Sequence, residues 1–274
     1  MTHLTALPTF PPRAHGKMHI AAKLRDAAAS VLADLHQTGS AKVLVTPARD
    51  AVEGVILNTS GGLTGGDTFS VSAEARRDAR LRLTTQAAER VYRTADDSTA
   101  QVRTRLVADR GARIDWLPQE TILFQNGALC RSLHVKMADD ARVLIVEPVL
   151  FGRLAMGEVV TRARFADRIS IDRGGEPLFR DASALNGDIA TALDRPALGA
   201  GARAMALVVF AAPEAEAHLE PMRAMLPKAA GVSLVQDGLL VLRALAADGL
   251  ALRRTLLPVL DRLSDDTLPR SWRL

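Results

Sequence analysis

The chain has 274 residues, 48% hydrophobic and 24% charged, which excludes wholesale disorder and leaves room for one or two buried cores. A single cysteine, Cys130, excludes an intrachain disulfide and a cysteine-based zinc site, and fits a reducing compartment. The 35 basic and 31 acidic residues give +4, but Arg alternates with Asp and Glu, as in Glu74–Arg80. With aromatics at only 4%, a nucleic-acid platform is disfavoured.

Residues 1–12 carry Pro8, Pro11 and Pro12 where an export signal needs an apolar core, and are expected to be flexible. From residue 17 to 180 the dominant period is two. Phe69, Val71 and Ala73 alternate with small or charged residues, as do Leu81 and Leu83, then Val102, Leu106 and Ala108, then Leu133, Val135 and Met137. Two solid apolar runs, Val43–Val45 and Val143–Val146, predict strands buried on both faces. Turn signals separate these segments at 37–40, Arg110–Gly111, 138–140 and 173–175.

The stretch 204–212 is the longest apolar one, far short of the ~20 residues a bilayer span needs, and a soluble cytoplasmic protein is expected. Two helices follow. One is expected over Glu214–Met225, after Pro213, and one over Leu250–Leu263, where Pro258 should kink or split it. Between them, strand-like runs over Val232–Ala246 break at Asp237–Gly238. The expected fold is mainly β: a predominantly antiparallel multi-stranded protein with a short α/β C-terminal portion and about two helices. It is read as one domain over 1–274, its helix-containing part at 213–274.

The segment Asn58–Asp67 holds Gly61, Gly62, Gly65 and Gly66. A P-loop would continue with Lys and Ser or Thr, and a dinucleotide fingerprint would open a helix. Here Asp67 leads into an alternating strand, so these glycines read as a structural loop that needs positive φ. No nucleophile in 83–93 lies beside a histidine, and the six histidines show no ligand spacing, so nothing supports triad chemistry or a tight zinc site. Glu120, Glu147 and Glu158 are carboxylates in apolar or Gly-containing segments; their separation, which acid–base hydrolysis would require to be set, is not a property of sequence.

These segments, in this order, resemble the urease accessory protein D (UreD/UreH) family. The matching residues are Asn58 with Gly61-Gly62 and Gly65-Gly66-Asp67, Thr84-Thr85-Gln86 with Val91-Tyr92-Arg93, and Leu117–Ile122 with Phe124. Glu147, Gly152-Arg153 and Gly157-Glu158 complete the set, and Ala14–Met18 fits the family's opening. Arg90 stands where the family commonly has Lys, which keeps the charge. The resemblance covers about 13–185 strongly. It implies a non-enzymatic maturation factor that binds accessory protein F and, through it, the GTPase accessory protein G. That assembly docks on apo-urease and aids nickel insertion. No tightly bound cofactor is implied, only nickel in transit.

Under that resemblance Asp67, Glu120, Glu147 and Glu158 are the candidates for weak transit sites, since a conduit must release its metal. A pure scaffold that positions F and G without touching nickel is the alternative, and a β-rich glycoside-type hydrolase a remote one. The apolar face Leu252, Leu256 and Leu260 is expected to meet a partner.

Overall fold

A computed structural model describes residues 12–25, 29–48 and 50–273. Most of the expected flexible segment, residues 1–11, lies outside them. The strands, in chain order, are β1 (His15–Arg25), β2 (Ala29–Gly39), β3 (Ala41–Thr46), β4 (Val52–Asn58), β5 (Thr68–Ala75) and β6 (Arg80–Thr85). Then come β7 (Glu89–Val91), β8 (Ala100–Ala108), β9 (Arg113–Leu117), β10 (Thr121–Leu123), β11 (Ala128–Met137) and β12 (Arg142–Phe151). The last five are β13 (Ala163–Arg173), β14 (Glu176–Gly187), β15 (Ala204–Ala211), β16 (Ala230–Gln236) and β17 (Leu239–Ala246).

They form two sheets. The first runs β14-β13-β11-β8-β5-β1-β2, the second β16-β17-β15-β12-β9-β6-β4-β3, with β10 and β7 added beside β12. The chain alternates between them, β5 to β6, β8 to β9, β11 to β12, so each coil lays one strand on each sheet. Neighbouring coils therefore run parallel: β1 with β5, β5 with β8, β8 with β11 and β11 with β13. The same holds for β4 with β6, β6 with β9 and β9 with β12.

This corrects the expected antiparallel arrangement. Antiparallel pairs do occur towards the ends of the sheets, as in β1–β2, β3–β4, β13–β14 and β15–β17. The middle is a parallel, solenoid-like stack. Alternation reports which face is buried but not which way the neighbour runs. Turns such as Arg110–Gly111 carry the chain across to the opposite sheet. Those turns stack on one another: Asp109 N donates to Ala75 O at 3.0 Å, and Ala138 N to Ala108 O at 2.9 Å.

The alternating residues point inward as expected, and Phe69, Val71, Leu106, Leu133, Val135 and Met137 form the core between the sheets. A second core lies on the outer face of the second sheet. There lie α2 (Leu219–Met225) and α3 (Gly249–Leu263), whereas α1 (Ile189–Asp194), which no sequence signal had suggested, follows β14 and buries Ile189 and Leu193 in the first core. The expected helix over Glu214–Met225 is a 3-10 turn, Ala215–His218, leading into α2. The Asp248 carboxylate caps α3 by accepting from Ala251 N at 2.8 Å. Pro258 does not split that helix.

Leu252, Leu256 and Leu260 are buried against the second sheet, which corrects their assignment to a partner surface. Val143–Val146 is buried on both faces, as expected, because β12 lies between the two cores. Val43–Val45 is not: Leu44 is 58% and Val45 42% exposed, since β3 is the edge strand beyond the helical layer. Among the described residues no helix is long and apolar enough to cross a membrane.

Candidate functional site

The Gly-rich loop joins β4 to β5. Gly61, Gly62 and Gly66 have φ of 80°, 147° and 85°, the region expected of them. Gly65 serves a different need, because a Cβ there would lie 2.1 Å from Thr94 Oγ1 and 2.6 Å from Ser98 O. Asp67 closes the loop: its two oxygens accept from Ala14 N and Thr64 N, each at 2.8 Å.

Beside this loop a cavity of about 260 Å³ enters the space between the sheets. Gln86, Ala87 and Arg90 stand exposed at its mouth, with Asn58 and Glu89 just inside. Asn58 Nδ2 donates to both Glu89 oxygens at 3.3 and 3.2 Å. Burial pushes the Glu89 carboxyl up to about 7, against the bonds from Asn58 and its neighbour Arg90.

At the inner end, Thr104, Thr121, Arg131 and Glu147 break an otherwise apolar lining. Each reaches it by strand alternation: Arg131 falls in phase with Leu129 and Leu133 on β11, and Thr104 with Leu106 on β8. Arg131 Nη1 lies 2.5 Å from Glu147 Oε2, and Nη2 lies 2.5 Å from Asp167 Oδ2. Trp116 Nε1 donates to Glu147 Oε1 at 2.8 Å. Burial pushes the Glu147 carboxyl up and Arg131 pulls it back; the two carboxylates hold the guanidinium firmly protonated.

Of the four candidate carboxylates, only Glu147 lines this cavity. Asp67 is buried in the loop. Glu120 is buried beneath α3, where Arg253 Nη2 donates to both its oxygens at 3.0 Å. Glu158 accepts from Arg153 Nε and Nη2, both at 3.0 Å, bonds that hold its carboxyl below the usual range. The acids therefore do not converge as a hydrolytic pair. Glu89, Arg131 and Asp167 are the site residues that the sequence reading missed. A charge in the apolar phase of a strand, as at Arg131, was the available signal. Among the described residues, no three His, Cys, Asp or Glu side chains are grouped to hold a metal ion.

The fold and site define a two-sheeted β solenoid whose paired charges face an interior cavity. The sequence model described as UreD urease accessory protein matches residues 14–273, and the chain belongs to that family. It is 48% identical over 270 residues to the urease accessory protein UreD of Roseobacter denitrificans, covering 98% of each chain. To the protein of that name from a Ruegeria species it is 49% identical over 272 residues, 96% of this chain and 92% of the relative. The UreD of Rhizobium leguminosarum bv. trifolii is 42% identical over 273 residues, 99% of each. Family membership gives the chain a role in urease maturation.

Proposed function

We propose that this protein serves urease maturation as a nickel conduit, within an assembly containing accessory protein F, the GTPase accessory protein G and apo-urease. The observation that carries this reading is the position of Glu147. It lines the cavity described above and also a second one of about 290 Å³, which holds Asp167 and Asp181 and has exposed Leu198 and Arg243 at its rim. Carboxylates thus follow one another from Glu89 to Glu147, Asp167 and Asp181. Oxygen ligands spaced singly suit a hard-to-borderline divalent cation that must be passed on and not kept.

Asp67, Glu120 and Glu158 support the walls of this path: they fix the Gly-rich loop, α3 and the loop after β12. The protein itself performs no turnover in this reading, and nucleotide dependence belongs to the G partner. The test is urease activation at limiting nickel with Glu147→Gln, alongside pull-down of F and G. Loss of activation with an intact assembly is expected. Full activation would favour a scaffold that positions F and G without touching the metal.

A further inference from the structure

The two cavities share one wall, and that wall is an ion pair. Arg131 lines the first cavity, Asp167 the second, and Glu147 both. A permanent positive charge in the middle of a route for cations is a barrier unless it moves.

The contacts around Arg131 allow such a movement. Its bond to Asp167 is two-pronged, Nε to Oδ1 at 3.1 Å and Nη2 to Oδ2 at 2.5 Å. Its hold on Glu147 is a single one, from Nη1, and Glu147 Oε2 lies outside hydrogen-bonding alignment with any donor among the described residues. If that contact opens, Arg131 and Glu147 Oε1 keep their partners, and Glu147 Oε2 alone is uncovered, facing the cavities. Nη1 still donates to Thr121 Oγ1 at 3.2 Å, Trp116 Nε1 still holds Glu147 Oε1, and the Phe165 ring, its centroid 6.0 Å from the guanidinium carbon, flanks Arg131. Opening therefore strands no buried donor, and the carboxylate charge it uncovers, the usual cost of breaking a buried pair, is what an incoming divalent cation would compensate.

We propose that Arg131 is a latch on the wall between the two cavities, anchored on Asp167, whose Nη1 must leave Glu147 before a divalent cation crosses. The inference rests on the conduit reading above. While closed, the guanidinium neutralises Glu147 and Asp167, which together would otherwise trap a divalent ion between them. The latch thus keeps the path from filling when no acceptor is present, and it hastens release by returning to Glu147 behind the departing ion.

The experiment measures Ni²⁺ uptake by equilibrium dialysis and Ni²⁺ release to a chelator, on the full chain in its complex with accessory protein F, together with urease activation at limiting nickel. Arg131→Lys keeps the charge but is too short to span both carboxylates. Arg131→Gln uncovers both Glu147 and Asp167, and thermal melting of each variant separates a lost latch from a folding failure. Both should hold Ni²⁺ about tenfold more tightly, release it more slowly and activate urease less, a coupling of ordinary size. If both take up and release Ni²⁺ as the wild type does, while Glu147→Gln abolishes uptake and activation, the latch is wrong and the conduit stands. If Glu147→Gln changes neither uptake nor activation, the conduit fails and the latch with it.

Discussion

Arg253 and Glu120 stand 133 positions apart in the chain and meet in a part-buried pair, Nη2 to both carboxylate oxygens at 3.0 Å. The pair fastens α3 to the connection between β9 and β10. Arg253 also lies 5.2 Å from the Trp272 ring, and Trp272 Nε1 donates to Leu117 O at 2.9 Å. Glu120→Gln should lower stability by about 1–3 kcal/mol, the cost of leaving a half-buried charged donor poorly matched. Thermal unfolding reads this directly. In a double-mutant cycle with Arg253→Met, the two losses should be clearly less than additive, and strict additivity would show that the pair contributes no coupling.

The Gly-rich loop yields a second test. Valine at Gly65 would drive its Cβ into Thr94 and Ser98, an overpacking that costs about 1–3 kcal/mol. Asp67→Asn replaces one acceptor with an amide that faces a backbone N–H, and should cost about 1–2 kcal/mol. Both variants are therefore expected to lose melting temperature and complex yield together. Wild-type melting in Gly65→Val, paired with lost urease activation, would make the loop a contact and not a support.

Glu89 sets a pH dependence whose sign can be worked out. Burial raises its carboxyl from the ordinary 4.5 to about 7 in the folded protein. Its contribution to stability is thus fully present below about 4.5 and is lost as pH rises through about 7. Glu89→Gln removes that loss. Between pH 5 and 8 the stability difference should shift in favour of the variant by about 1–3 kcal/mol. Urea unfolding at both pH values checks it, and parallel curves for the two proteins would refute a raised Glu89.

Trp272 has no exposed surface and sits in the second core near the end of the chain. Trp272→Ala should cost about 3–5 kcal/mol, as large aromatic truncations do. It should also loosen α3, increasing protease cleavage within 249–263 before the solenoid itself is cut. Cleavage first between β5 and β13 would place the weakest region elsewhere.

Much of the architecture was legible where a single physical signal decided it. Phe69, Val71 and Ala73 reported their buried face by parity, and Asp237–Gly238 marked the turn between β16 and β17. Strand direction was hidden, because parity is unchanged when a strand is reversed. The second core was misread for a related reason. Leu252, Leu256 and Leu260 showed an apolar helix face, but a helix pattern does not name what covers it, and the cover here is the chain's own second sheet. At the site, Glu147 stood out as an acid at the end of an apolar run. Its partners Arg131 and Asp167 come from β11 and β13, and only the parallel register, Arg131 opposite Asp167, brings them together.

The position of β3 has a consequence for how the purified protein behaves in solution. Among the described residues β3 pairs on one side only, with β4, and Gln37 Oε1 covers one outward amide, that of Val43. Beyond it stand Leu44 and Val45, exposed on a strand that can accept a further strand from another molecule. At high concentration the isolated chain should therefore self-associate edge to edge, and Val45→Lys should raise the concentration at which turbidity sets in while leaving the melting temperature unchanged.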